Sequence, residues 1–233
     1  VEAGPAPLAA ALPAPLGLHT AGWYARAGVD LVLREAVTVV EADRVNLASG
    51  RSLAADVVVC AVGVRPDTAW LHGSGVPLGR TGAVEVDETL ATGTPGVVAV
   101  GDCAAWLSRR YGARLHVEHW DTALHGPAAA TATLLGAPTA YDPVPYFWSE
   151  QLGHTLQYVG HHAGADSVVE RPAATGDPDS WIVFWVSGDR LVAALACDRP
   201  RDLVQARRLA EREVPVDSRR LADPSVAVRD TLA

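Results

Sequence analysis

Thr94-Pro-Gly-Val-Val-Ala-Val-Gly-Asp-Cys-Ala104 is the stretch on which the reading of this chain turns. Val97–Val100 is an apolar run of strand length, and Gly101-Asp102 closes it with a carboxylate. In open parallel sheets covered by helices, ligands bind outside the carboxyl ends of the strands. A buried strand that delivers an acid at that end therefore predicts a cofactor site. Taken alone, a glycine-aspartate pair at a strand end more often starts a turn. The neighbouring sequence has to decide.

Working upstream, Ala55–Val62 is a continuous apolar run ending at Gly63, the pattern of a parallel strand buried on both faces. Before it, the Ala-rich stretch Leu8–Ala27 has a helical period closed by Gly28. Val29–Leu33, Ala36–Glu41 and Arg44–Leu47 are short β-branched runs that predict a small meander, with a turn at Ser49-Gly50. Downstream, the pattern predicts a helix over Asp121–Leu135, in which Pro127 should cause a kink or a break. Tyr141-Asp-Pro-Val-Pro145 reads as a linker. Beyond it, Thr155–Gly160, Trp181–Val186 and Leu191–Cys197 alternate as antiparallel strands, and Arg201–Arg212 is an amphipathic helix. The fold class is thus α/β followed by an α+β unit.

Composition narrows the function. The chain has 233 residues, 49% hydrophobic and 20% charged, with a net charge of −8, which leaves no basic footprint for nucleic acid. No apolar run approaches the roughly 18 residues of a membrane span, so a cytoplasmic protein is expected. Cys60, Cys103 and Cys197 lack the spacing of a disulfide framework or a CxxC metal site. His161-His162 has no third ligand at usable spacing, and adjacent strand residues point apart, so no metal is expected. The chain contains no methionine and opens in what reads as mid-strand, which predicts that its start is missing.

The stretch 94–104 resembles the second flavin fingerprint of the FAD-dependent pyridine nucleotide-disulfide oxidoreductases. Ala61-Val-Gly-Val-Arg-Pro-Asp-Thr68 is similar to that family's crossing from the NAD domain to the FAD domain, with Asp67 in place of the usual asparagine. Val117-Glu-His-Trp-Asp121 and Pro145-Tyr-Phe-Trp-Ser-Glu-Gln151 resemble strings of the ferredoxin and rubredoxin reductase branch. The resemblance implies a partial two-domain FAD/NAD(P)-binding Rossmann-like fold followed by a C-terminal α+β reductase domain. Residues 1–66 would belong to the NAD-binding domain, 67–142 to the FAD-binding domain and 143–233 to the C-terminal domain. The His-Pro-x-x-x-Glu-type base that disulfide-reducing relatives carry near the C-terminus has no counterpart in this C-terminal stretch, and departures stand at Gly126-Pro127 and Cys197-Asp198.

By the same resemblance, Gly101 and Asp102 hold the ribityl chain of FAD, and Glu118, His119, Trp120, Phe147 and Trp148 surround its isoalloxazine. Glu118 would orient the nicotinamide, and Trp148 would shield the ring and face the acceptor. Gly63 lies in the crossing segment, and Glu2 would take the adenine ribose 2′-OH, which favours NADH. The implied activity is an NADH:ferredoxin or rubredoxin oxidoreductase with a [2Fe-2S] ferredoxin or rubredoxin-like acceptor. The chain would be the C-terminal fragment of that enzyme, inactive alone. Arg109, Arg110 and Arg114 are the densest basic cluster near these motifs and would form a rim for an acidic partner. A non-catalytic interaction domain derived from a reductase is the alternative.

Overall fold

The computed structural model describes residues 1–8, 14–172 and 176–233, and they fall into two compact units, Val1–Gly63 and Val64–Ala233. In the first unit, α1 spans Ala14–Arg26; the part of the expected helix at residues 9–13 lies outside the described residues. The helix ends as its sequence predicts. Gly28 takes φ +72°, its amide reaches the Ala25 carbonyl at 3.1 Å, and Val29 N reaches the Tyr24 carbonyl at 2.9 Å. These two bonds satisfy carbonyls that the helix leaves open, and the left-handed turn suits glycine. The meander follows as β1 (Val37–Val40), β2 (Arg44–Leu47) and β3 (Ser52–Ala54), an antiparallel sheet in that order. Val29–Leu33 is not a strand of it; Leu33 makes a single bridge to Glu2.

Ala55–Val62 is not the buried strand that its apolar run predicts. It is irregular and open, with Val57 81%, Val59 84% and Val62 90% exposed. An interior parallel strand takes its backbone bonds from neighbours on both edges. Among the described residues, no strand pairs with residues 56–63.

The second unit begins with β4 (Val84–Val86), which pairs in parallel with β5 (Ala104–Ser108); β5 pairs antiparallel with β6 (Ala113–His116). Val97–Val100, expected as a buried strand, makes one bridge from Val98 to Ala91, and only half-buried residues follow it into a 3-10 turn at Gly101–Cys103. Again, too few strands flank it. α2 runs over Trp120–Leu134 with Pro127 inside it, so the proline does not break the helix. Pro127 sits on the exposed face, where water can take the carbonyl that loses its partner, while Gly126, Ala129 and Ala130 pack inward. Gly126 lies against Val100 and Leu90. That burial offsets the roughly 3 kcal/mol cost of an interior proline.

Tyr141–Pro145 is a strap, not a free linker. Tyr141 is buried, sets its ring edge-on to Trp106 at 5.4 Å, and donates its amide to the Glu88 carbonyl at 2.7 Å. Asp142 accepts from Ser108 Oγ at 2.5 Å and from Arg110 N at 2.8 Å. The strap leads into β7 (Tyr146–Gln151), β8 (His154–Gly160), β9 (Ser167–Pro172), β10 (Trp181–Ser187) and β11 (Arg190–Cys197). They form an antiparallel sheet in the order β7-β8-β11-β10-β9. α3 (Pro200–Arg212) covers β11 and β8 with Leu203, Ala206, Leu209 and Ala210, and α4 (Ser218–Ala222) is capped by Asp217. β10 is buried along nearly its whole length because it has a strand on each side.

Candidate functional site

Two connections in the second unit converge. β6 ends at His116, buried Val117 anchors the chain, and Glu118 and His119 lead into Trp120, the first residue of α2. The Thr122 hydroxyl fixes this bend by donating to the carbonyls of Val117 at 3.1 Å and His119 at 2.7 Å. The opposite wall is the edge strand β7, which β8 holds in register with Phe147 opposite Tyr158 and Trp148 opposite Gln157. Glu118, His119, Trp120, Phe147 and Trp148 line one cleft of about 470 Å³. Its rings touch across the gap: His119 to Phe147 at 4.9 Å, and Trp120 edge-on to Trp148 at 5.7 Å. Tyr146 stacks on Trp148 at 5.9 Å. Trp120 is nevertheless 64% exposed and Trp148 45%, so the cleft presents apolar surface to solvent.

The polar groups of the cleft are underused. His119 Nδ1 is buried without a hydrogen-bond partner, and burial lowers the imidazole's pKa against the opposing pull of Asp121 and Asp102. The ring is therefore neutral at pH 7. Asp121 is buried in the first turn of α2, with one carboxylate oxygen 3.5 Å from His125 Nε2 and the other unpartnered. Unsatisfied buried polar atoms cost stability and call for an explanation.

Gly101 and Asp102 lie beside this cleft. A Cβ on Gly101, which has φ +70°, would meet Ala123 of α2 at 3.4 Å, so the turn rests on the helix. The Asp102 carboxylate is exposed, and its carbonyl bonds His116 Nε2 at 2.7 Å, a nitrogen that also lies 4.0 Å from Glu118. His116 and Thr122 are therefore supporting residues that the sequence reading passed over. Their proximity to Glu118 along the chain was the available signal.

Seven of the nine expected residues thus fall in or beside one site. Glu2 and Gly63 belong to the first unit: the Glu2 carboxylate accepts from Gly4 N at 2.5 Å, and Gly63 is exposed at the end of the irregular run. Each arginine of the expected basic rim has partners within the chain, although Arg109 stays exposed. Arg109 pairs with Glu88; Arg110 donates to the Ala210 carbonyl at 2.9 Å and pairs with Glu213 at 3.2 Å; Arg114 binds the carbonyls of Val86 and Ala105. Adjacent His161 and His162 turn to different neighbours, Tyr111 and Trp185.

Comparison with known proteins identifies relatives of both parts of the chain. The family described as pyridine nucleotide-disulphide oxidoreductase matches residues 1–126, and that described as reductase C-terminal matches residues 146–232. A 5,5'-dehydrodivanillate O-demethylase ferredoxin reductase subunit from a Sphingobium strain is 36% identical over 88% of this chain and 51% of its own length. Rhodocoxin reductase of Rhodococcus erythropolis is 31% identical over 100% of this chain and 55% of its own. The solved covalent putidaredoxin reductase–putidaredoxin complex superposes with a TM-score of 0.90 at 25% identity, covering 99% of this chain and 56% of that one. The chain spans about half the length of the curated relatives it matches. Among the described residues, no helix is long and apolar enough to cross a membrane.

Proposed function

We propose, from the premise that this chain belongs to the pyridine nucleotide-disulphide oxidoreductases and to their ferredoxin reductase branch, that it carries the flavin- and acceptor-facing part of an NADH-dependent reductase. The electron acceptor is a ferredoxin, the kind of partner that the names of the relatives point to, and on our reading one of the [2Fe-2S] type. The observation that carries this reading is the convergence of residues 118–120 and 147–148 on one aromatic cleft. The residues fit FAD: flat apolar walls from Trp120, Phe147 and Trp148 suit a planar heterocycle, and the unpartnered His119 Nδ1 offers a polar atom to its edge. The exposed Asp102 carboxylate can accept from sugar hydroxyls.

Bound FAD supplies the conversion of a two-electron donor into a one-electron donor. NADH oxidation to NAD⁺ releases two electrons and a proton, so one NADH serves two ferredoxins. Glu118 accepts from the carboxamide of the nicotinamide and orients it, and Trp148 excludes water and faces the acceptor. Glu2 takes the ribose 2′-OH of NADH, and Gly63 marks the passage between the nucleotide parts. Residues 1–66 supply the NAD-binding part, 67–142 the FAD-binding part and 143–233 the C-terminal reductase domain. The three free cysteines suit the cytoplasm.

Asp102→Ala tests the reading. In the FAD-loaded protein it removes a charge-assisted hydrogen bond worth about 1.5–3 kcal/mol, which weakens flavin retention roughly 10- to 100-fold. Flavin absorbance after exhaustive dialysis measures it. Unchanged flavin content would remove Asp102 from the site.

A further inference from the structure

At the far end of the C-terminal sheet, β8 begins at His154 and β11 ends at Cys197, followed by Asp198. His154 Nδ1 lies 2.8 Å from Asp198 Oδ2, and the Cys197 thiol lies 3.8 Å from the same oxygen. One ligand atom from each residue falls within 4.8 Å of the other two. Tetrahedral zinc with sulfur, nitrogen and oxygen ligands at about 2.3, 2.0 and 2.0–2.2 Å needs donor atoms spaced on this scale.

Backbone holds the cluster in shape. Asp198 sits in the left-handed region at φ +53°, its second carboxylate oxygen accepts Thr155 N at 2.8 Å, and Asp198 N donates to the Thr155 carbonyl at 3.0 Å. Both ligand-bearing strands are therefore tied together before any ion arrives. Burial pushes the Cys197 thiol's pKa up, and Asp198, Asp179 and Asp177 push it further, so the thiol stays protonated until a cation, which the same negative field attracts, displaces the proton. Arg199, next along the chain, is committed to Asp202 at 2.5 Å and to the Pro172 carbonyl.

We propose that His154, Cys197 and Asp198 form a site for a borderline-soft divalent cation of the zinc type, clamping the start of β8 to the end of β11. The Cys197 S–H bond breaks, the proton leaves to solvent, and a sulfur–metal bond forms. The imidazole keeps its proton on Nε2 and binds through Nδ1, and one Asp198 oxygen supplies the third ligand. A thiolate and a carboxylate then balance the two charges of the ion. Water takes the fourth position on the open side, where Asp198 is exposed.

Cobalt(II) tests the proposal, because thiolate coordination gives it a charge-transfer band and tetrahedral ligation gives it intense visible bands. The full chain is freed of metal with a chelator, titrated with Co²⁺ and then challenged with Zn²⁺. The expected result is one Co²⁺ per chain with both features, displaced by Zn²⁺. Cys197→Ser should abolish the charge-transfer band. His154→Gln and Asp198→Asn should each weaken binding by at least the roughly 10- to 100-fold that the loss of an outer partner costs. Asp198→Asn keeps the left-handed turn tolerable and serves as the decisive variant if Cys197→Ser does not fold. No thiolate band in the parent chain, or an unchanged titration in Asp198→Asn, overturns the site; a band that survives in Cys197→Ser assigns the ion to Cys60 or Cys103 and overturns it as well.

Discussion

Trp181–Ser187 and Ala55–Val62 look alike as sequence, each a β-branched apolar run of strand length, yet one is a buried central strand and the other an open irregular segment. Val183 and Val186 of β10 are 2% and 0% exposed, whereas Val57 and Val59 are 81% and 84% exposed. β10 has β9 on one edge and β11 on the other. Residues 56–63 have no strand beside them among the described residues. Apolar content states what a segment could bury; neighbours decide whether it does.

That contrast predicts a large difference in stability effects. Phe184→Ala, at a fully buried position in β10, should cost about 3–5 kcal/mol of unfolding free energy, because it leaves a cavity in a closed core. Val59→Ser should stay within about 0.5 kcal/mol, the range of surface changes. Urea unfolding of both variants decides the point. A Val59→Ser cost matching that of Phe184→Ala would mean that the 55–62 run is buried in solution.

A smaller effect sharpens the same theme at the cleft. The buried His119 imidazole titrates below its ordinary value, while in the unfolded chain it titrates near 6.5. On acidification below about 6.5 the unfolded chain therefore binds a proton that the folded site resists. Stability falls until the folded pKa is passed, by at most about 1.4 kcal/mol per pH unit for this group. His161 and His162, also lowered by burial, act in the same direction. Unfolding measured at pH 7.5 and 5.5 should show a smaller loss in His119→Gln than in the parent. An equal loss would place the titrating group elsewhere.

What the sequence made legible divides along the same line. β8, β10, β11 and α3 were readable because their strand-length runs and their amphipathic stripe match partners that lie close along the chain: β10 and β11 form a hairpin, and α3 follows directly; β9 was not read. The cleft was readable as two motifs, but not as a geometry. That Glu118 and Trp148 face each other across one cleft depends on the Tyr141–Pro145 strap, which looked like a linker because its burial comes from Trp106, Ser108 and Arg110, more than 30 residues away. The helix continues past Pro127 for a related reason: the rule against interior prolines counts the lost bond and not the packing of Gly126, Ala129 and Ala130 on the other face. The partners of the arginines in 109–114 were not legible, since composition does not reveal which carboxylates and carbonyls they will meet.

The central claim is that the two walls of the cleft serve different steps, with Glu118 on the nicotinamide side and Trp148 on the acceptor side. Stopped-flow kinetics of the FAD-loaded protein with NADH, followed by a [2Fe-2S] ferredoxin, tests it most directly. Glu118→Gln should slow flavin reduction on the order of tenfold, about 1.4 kcal/mol, and leave ferredoxin reduction unchanged. Trp148→Ala should do the reverse. Both variants reducing flavin and ferredoxin at parental rates would contradict the assignment of this cleft to electron transfer.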